Sequence, residues 1–356
     1  MGVVAAVRPK DIFTADEWAA LTRVSPWRGL WLVAHAWGSI AIIIAIALWV
    51  GHWIAFVPAI FLIGGRQLGL AILMHDAAHG LLHPHRATNN FVGQWLAGAA
   101  VGSELAAYRT YHLAHHRYTQ QAEDPDLALS APFPTSRASL WRKVFRDLSG
   151  QTFAKQRSVQ FALAAKGLWP SLRGGKAPRG RDASAGTILN RSARDAGPAG
   201  MSAPASETAA ISVAKSTLRF LLVQAILLSL SLLIYGWTPF LLWLAALATS
   251  FQLALRIRNI AEHACTQTGP GDPFSHARTT RASWAERMLL APYWVNYHAE
   301  HHLFMGVPAY RLARVHRLLV ERGYGARMAI AENYASVLRL VTRPSNAGQA
   351  HSSSTG

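Results

Sequence analysis

Two pairs of long apolar segments dominate the chain, and a turn of a few residues joins the members of each pair. The first pair runs from Gly29 to Val50 and from Trp53 to Leu73, and the second from Leu218 to Tyr235 and from Trp237 to Leu255. Each segment comes close to the roughly 20 apolar residues that a helix needs to cross the hydrocarbon core of a bilayer. The pattern predicts an all-α integral membrane protein with four transmembrane helices in two hairpins.

A shorter apolar segment, Phe91 to Ala107, is interrupted by glycines and is marginal for crossing a bilayer. We interpret it as a re-entrant or interfacial hairpin that returns to the side from which it entered. If it spanned the membrane, His75 and His112 would lie on opposite sides.

Arg66, inside the second span, has two interpretations: a side chain that reaches the membrane interface, which we favour, or a buried ion pair near the active site.

The polar segments divide the chain into five parts. Residues 1–28 form an interfacial segment, residues 29–130 contain the first hairpin, and residues 131–216 form a basic cytoplasmic region with a flexible insertion at about 171–210. Residues 217–342 contain the second hairpin, and residues 343–356 form a disordered tail.

Ser283 to His302 is predicted to be largely helical. From Pro308, an apolar stripe of Leu312, Val315 and Leu319 predicts a basic helix that lies on anionic lipid.

The charge distribution indicates how the chain is oriented in the membrane. The net charge is +17, yet the turns Gly51-His52 and Tyr235 to Pro239 contain neither Lys nor Arg. By the positive-inside rule, both termini lie in the cytoplasm, and we expect a bacterial inner membrane. No nucleic-acid motif accompanies the charge, so the partners that it implies are membrane lipids.

A single cysteine excludes a disulfide framework and a thiolate metal cluster.

Half of the sixteen histidines lie in three clusters with helical spacing. They are His75 and His79 in box 1, His112, His115 and His116 in box 2, and His298, His301 and His302 in box 3. Residues three and four apart share one face of a helix, so each box can direct its imidazoles at one point. A pair of this kind is sometimes only structural, but three boxes in one chain predict a metal site.

Eight imidazoles are too many for one ion, which indicates a site for two metals. Imidazole suits iron, copper, zinc and nickel, and zinc has no redox chemistry. Next to apolar spans, such a site suits iron that activates O2 and attacks an unactivated C–H bond.

The three boxes, in the order H-x-x-x-H, H-x-x-H-H and H-x-x-H-H with hairpins before the first and between the second and third, resemble those of the membrane fatty acid desaturase and hydroxylase superfamily. The resemblance covers roughly residues 30–130 and 215–320. It implies a cytoplasmic helical cap with a di-iron centre in which the eight box histidines are ligands and catalytic residues. Some members use a further histidine after the last span, which makes His263 a ninth metal ligand, and Asn259 acts through water. Asp76 and Glu300 either orient imidazole N–H groups or are solvated charges.

The resemblance implies an O2-dependent desaturase that introduces a double bond into a fatty-acid or acyl-lipid chain at the cytoplasmic membrane face. The alternative is a di-iron hydroxylase or monooxygenase that acts on a lipid, sphingolipid, carotenoid or alkane. A third hypothesis is a histidine-rich metal transporter, although its histidines would be expected inside the spans. The enzyme needs a separate electron donor, ferredoxin-like or similar, with its reductase, and a basic surface would steer an acidic donor.

Overall fold

The computed structural model describes residues 4–172 and 207–342, which are mostly helical. The α-helices are α1 Ala15–Thr22, α2 Arg28–Val50, α3 Trp53–Ala78, α4 Arg86–Phe91, α5 Ala99–Val101, α6 Leu105–Tyr118, α7 Leu127–Ser130, α8 Arg137–Leu148, α9 Gln151–Leu172, α10 Glu207–Ile234, α11 Thr238–Ala248, α12 Ser250–His263, α13 Trp284–Leu289, α14 His298–Leu303, α15 Ala309–Glu321 and α16 Tyr334–Val341. A π-helical stretch, Val92–Gly98, joins α4 to α5. Short 3-10 helices lie at Pro9–Asp11, Pro273–Ser275, Pro292–Trp294 and Tyr324–Arg327. Two parallel strands, β1 Arg278–Thr280 and β2 Ala329–Ala331, pair with each other.

Four helical stretches among the described residues are long and apolar enough to cross a membrane. They are Arg28–Val50, Trp53–Ala78, Ile211–Ile234 and Thr238–His263. The last stretch consists of α11 and α12, which meet at Thr249, where φ is −124° and ψ is −84°. The predicted four spans in two hairpins are therefore confirmed. Of the predicted insertion and tail, residues 173–206 and 343–356 lie outside the described residues.

Helix α3 lies at the centre of the molecule and packs closely against α12. A Cβ atom at Gly64 would lie 2.2 Å from Ser250 Oγ and 2.8 Å from the backbone nitrogen of Phe251. The Ser250 hydroxyl donates a hydrogen bond to the carbonyl of Ile60 at 2.6 Å. The small residue at position 64 therefore lets two spans from different hairpins touch, which brings the ends of α3 and α12 together.

The segment after box 1 reverses direction as predicted for a re-entrant hairpin. The helical stretch ends at Gly102, whose positive φ of 80° suits glycine, and α6 starts at Leu105. The Gln94 side chain joins the two arms, because its oxygen accepts a hydrogen bond from the Leu105 backbone at 2.8 Å. The ring centroids of His75 and His112 lie 4.5 Å apart, so boxes 1 and 2 occupy the same end of the molecule.

Among the described residues, Arg66 bonds to backbone carbonyl groups and not to the carboxylate that a buried ion pair would need. Its guanidinium donates to the carbonyl oxygens of Arg287 at 3.1 Å and Met288 at 2.7 Å, and it lies 5.8 Å from the ring centroid of Tyr293. The side chain therefore satisfies carbonyl groups near the end of α13. These partners are supplied by a segment more than two hundred residues away, which a local pattern does not show.

The segment from Ser283 to His302 is largely helical, as predicted, but its helical parts are short and separate. Helix α13 ends at Leu289, and α14 begins only at His298. Between them, Tyr293 and Trp294 have positive φ angles of 52° and 60°, which lie outside the region of a right-handed helix. Box 3 therefore lies on a helix of six residues rather than on a long one.

The prediction that the apolar face of the basic helix after Pro308 lies on lipid is wrong. Leu312, Val315 and Leu319 of α15 are buried inside the protein. They belong to a cluster whose other buried members include Ile12, Phe13, Leu21, Phe274, Ala277, Ala299, Phe304, Val307, Ala309 and Met328. An amphipathic stripe has the same sequence pattern whether lipid or protein covers it.

Candidate metal centre

Four segments bring nine imidazoles to one end of the molecule. Helix α3 ends with box 1, α6 carries box 2 on its buried face, α12 ends at His263, and α14 carries box 3. The nine side chains form two groups in which the potential ligand atoms all lie within 4.8 Å of one another. The first group is His75, His79, His112, His116 and His301, and the second is His115, His263, His298 and His302.

In the first group, the Nε2 atom of His116 lies 2.9 Å from that of His112 and 3.0 Å from that of His301. The Nε2 atoms of His75 and His79 are buried and have no hydrogen-bond partner among the described residues. Five Nε2 atoms therefore surround one small space. A buried nitrogen without a partner is costly, so this arrangement favours a bound cation.

In the second group, His263 Nε2 lies 3.2 Å from His115 Nε2 and 2.9 Å from His298 Nε2. His302 Nε2 completes the group at 3.0 Å from His298 Nε2. The two groups touch, because the ring centroids of His116 and His302 are 4.3 Å apart. The nine imidazoles thus form one continuous cluster with two centres.

The protonation of four imidazoles in the first group suits metal binding. Burial, together with neighbouring imidazoles, holds the pKa of His112, His116 and His301 well below the ordinary value. Burial also lowers the pKa of His79 to about 4. A neutral imidazole offers a lone pair, whereas a protonated one offers none. The donor set therefore fits divalent ions that imidazole suits, iron among them.

Carboxylates contact the outer nitrogens of several imidazoles. His115 Nδ1 lies 2.8 Å from an oxygen of Asp124, His298 Nδ1 lies 3.3 Å from Glu262, and His75 Nδ1 lies 3.4 Å from Asp76. With Nδ1 facing an acceptor, the proton resides there and Nε2 is left free to bind a metal.

Neutral acceptors act in the same way on two further imidazoles. His263 Nδ1 lies 3.2 Å from the carbonyl oxygen of His276, and His302 Nδ1 lies 3.1 Å from the hydroxyl oxygen of Thr119. Five imidazoles of the cluster therefore have an oxygen that orients the ring. All of these rings direct Nε2 toward the inside of the cluster.

The residues suggested by sequence as partners of the ligands have different environments. Asp76 lies beside His75, whereas the carboxylate of Glu300 contacts His316 Nδ1 at 2.6 Å and the hydroxyl of Thr279 rather than a box imidazole. Glu300 lies on the face of α14 opposite the three histidines, which explains the difference. The side-chain oxygen of Asn259 accepts from Arg258 at 3.3 Å.

The most closely bonded carboxylate, Asp124, was missed from the sequence. It belongs to the stretch Asp124-Pro125-Asp126 eight residues after box 2, in a loop rather than on a helix. Helical spacing, which revealed the boxes, gives no signal there. The signal available was a pair of acidic residues eight and ten residues after a histidine box.

A small cavity lies against the second histidine group. Its volume is about 30 Å³, and Tyr108, Arg258, Asn259 and Glu262 line it together with histidines of box 2 and box 3. A water molecule needs about 10–15 Å³ of such space. The cavity therefore has room for a water molecule between Asn259 and the imidazoles, and its walls are polar.

Comparison with known proteins gives two findings. The model of the fatty acid desaturase family matches residues 51–333, a region that includes all three boxes. The dihydrorhizobitoxine desaturase of Bradyrhizobium elkanii is 24% identical to the chain over 288 residues, which cover 78% of this chain and 71% of that protein.

Proposed function

We propose, since this chain belongs to the fatty acid desaturase family, that it is an O2-dependent di-iron enzyme that introduces a double bond into an acyl chain at the cytoplasmic membrane face. Family membership supports a desaturase-type membrane oxidoreductase. The observation that carries the finer proposal is the cluster of nine imidazoles, most of them buried, in two groups. Two such groups would give each of two iron ions its own set of nitrogen ligands.

The proposed ligands follow the two groups. His75, His79, His112, His116 and His301 would hold one iron, and His115, His263, His298 and His302 would hold the other. This proposal includes His263 as the ninth ligand. Asn259 would act through a water molecule in the adjoining cavity. Asp76, Asp124 and Glu262 would keep the Nδ1 proton on their imidazoles.

The balance of the reaction shows why an electron donor is needed. A CH2–CH2 unit that becomes a double bond releases two electrons and two protons, whereas O2 takes up four of each to become two water molecules. The remaining two electrons and two protons come from outside the substrate. A ferredoxin-like protein with its reductase would supply the electrons, and the bound irons would supply the redox chemistry.

The protein residues would bury the reaction, orient the ligands and position the substrate. The four apolar spans would give an acyl chain access from the bilayer. Whether a double bond or an alcohol results would depend on how the reacting carbon is placed, since errors of about 1 Å change rates strongly. A hydroxylase or monooxygenase acting on a lipid, sphingolipid, carotenoid or alkane therefore stays the alternative.

A second candidate function is desaturation of a polar metabolite rather than an acyl chain. One observation favours it: the relative from Bradyrhizobium elkanii is named for dihydrorhizobitoxine and not for a fatty acid.

Expression in a host of known lipid composition, followed by mass spectrometry of lipids and of polar metabolites, tests these proposals. A new lipid lighter by two hydrogens supports the acyl desaturase, one heavier by an oxygen supports the hydroxylase, and a dehydrogenated polar metabolite supports the second candidate.

His115→Ala is the control, and we expect it to reach the membrane but form no product. About two irons per purified chain are expected from the ligand sets. Zinc or manganese transport without any oxidised product would contradict the enzyme and support a transporter.

A further inference from the structure

Helix α15 packs beside the helix that carries box 3. From its first residue, Ala309, the buried side chains Ala309, Leu312 and Val315 belong to the same apolar cluster as Ala299, which lies inside box 3. The start of α15 is therefore fixed by apolar packing within the protein.

Two turns further along, α15 contacts box 3. His316 Nδ1 lies 2.6 Å from a carboxylate oxygen of Glu300, and Glu300 has no exposed surface. The other oxygen of Glu300 accepts from the hydroxyl of Thr279 on β1. His316 is itself largely buried, with 16% of its side chain exposed. A buried carboxylate with these two partners is held in one position.

The position of Glu300 on α14 makes this contact important for the ligands. Successive helical residues are separated by about 100° around the axis, so His298, His301 and His302 share one face and Glu300 lies on the opposite face. Helix α14 has only six residues, too few to be stable without tertiary contacts. The rotation of α14 about its axis sets the direction of the three imidazoles. That rotation depends on the contacts made by Glu300 on the opposite face.

We propose that α15 clamps box 3 in its orientation, and that His316 is a positioning residue that acts on the box 3 ligands through Glu300. This inference rests on the proposed metal centre. Removal of the His316 imidazole leaves a buried carboxylate with one partner fewer, which destabilises the position of α14. The box 3 imidazoles then bind metal less tightly.

The test compares His316→Asn with His316→Leu. The Asn amide places an N–H group close to the position of Nδ1, so it can still donate to Glu300, whereas Leu fills similar space without a donor. We expect Asn to retain metal nearly as well as the unsubstituted protein and Leu to retain it 10–100-fold less well, as is typical when a group that orients ligands is lost. Arg317→Gln, at an exposed position of the same helix, is the matched control.

The readouts are the rate at which a chelator removes iron from the purified protein and the ligand-field spectrum of the Co²⁺-loaded protein. Equal metal retention in the Leu variant and the unsubstituted protein would overturn the inference, and so would a loss in the Asn variant as large as that in the Leu variant. If the Leu variant fails to accumulate in the membrane, His316→Gln replaces it. The Gln amide lies one bond further from the backbone than the Asn amide, so its N–H group does not lie at the position of Nδ1. Equal iron release rates in the Asn and Gln variants would then overturn the inference.

These readouts separate the clamp from the proposed function. A protein that binds metal and loses it in His316→Leu but forms no oxidised product retains the clamp and contradicts the proposed function. If the unsubstituted protein forms the product, and His316→Leu and His316→Asn retain metal equally well, the clamp alone is contradicted.

Discussion

At the scale of single residues, the groups outside the boxes control how the imidazoles are presented. Asp124 contacts His115 Nδ1 at 2.8 Å, and both side chains are almost completely buried. The same carboxylate accepts hydrogen bonds from the backbone of Gln120 and Asp126, each at 2.8 Å. Asp124 is therefore fixed by the loop that contains it, and it fixes the imidazole in turn.

Replacing Asp124 by Asn should weaken metal binding without removing a ligand. The amide can present its N–H group to Nδ1, which shifts the imidazole proton toward Nε2, the atom that would bind metal. We expect a 10–100-fold loss of metal affinity or of turnover, measured by titration with a competing chelator. Glu123→Gln, at the exposed neighbouring position, should leave both unchanged. An Asp124→Asn protein with unaltered metal affinity would show that the carboxylate does not orient His115.

Local and distant contacts differ in how well the sequence predicts them. The boxes were predicted because ligands three and four residues apart share a helix face, and this signal is contained in each segment. The contacts of Glu300 with His316 and of Arg66 with Met288 join residues that are separated in sequence. Nothing in either segment indicates its partner, so the roles of these side chains appear only in the folded chain.

At the scale of elements, the sequence predicted the spans well and their continuation poorly. The apolar signal of the second span fades near Leu73, yet α3 continues to Ala78 because its last turn is buried in protein instead of lipid. The helix of the fourth span similarly continues from Leu255 to His263. Hydropathy reports contact with the bilayer core, and a helix that leaves the bilayer inside the protein gives no such signal.

The close contact of α3 with α12 makes a prediction about Gly64. In Gly64→Ala, the new Cβ would overlap Ser250 Oγ and the Phe251 backbone, so the two helices must separate. Overpacking of this kind costs about 1–3 kcal/mol. We expect a lower unfolding temperature in detergent and faster loss of iron, since α12 carries His263. Gly38→Ala in α2 is the matched control, because a Cβ there meets nothing within 4 Å. Equal unfolding temperatures for the two variants would contradict close packing at Gly64.

At the scale of the whole molecule, charge and metal site agree on one orientation. The chain has 35 Lys and Arg residues against 18 Asp and Glu residues, and the turns Gly51-His52 and Tyr235 to Pro239 contain none of either kind. An even number of spans returns the chain to the side where it started. All three boxes would then lie on the same side as the basic residues, and from the positive-inside rule we propose that this side is the cytoplasm.

This orientation can be tested with the single cysteine of the chain. Cys265 is exposed and follows His263 closely, so in intact bacteria a membrane-impermeant maleimide should not reach it. In a Cys265→Ser background, Trp237→Cys in the turn of the second hairpin should react in intact cells, since Trp237 is 61% exposed. Burial raises the pKa of the Cys265 thiol, so labelling at about pH 8, where more thiolate is present, is appropriate.

Disrupted cells provide the control, because Cys265 should react there once the reagent has access to both faces of the membrane. The amount of reaction in disrupted cells also corrects for the slow reactivity of a thiol with a raised pKa. Reaction of Cys265 in intact cells, together with protection of the cysteine at position 237, would reverse the orientation. The metal centre would then face the outside of the cell, where a cytoplasmic ferredoxin could not deliver electrons, and the proposed donor would have to be replaced by one on that side.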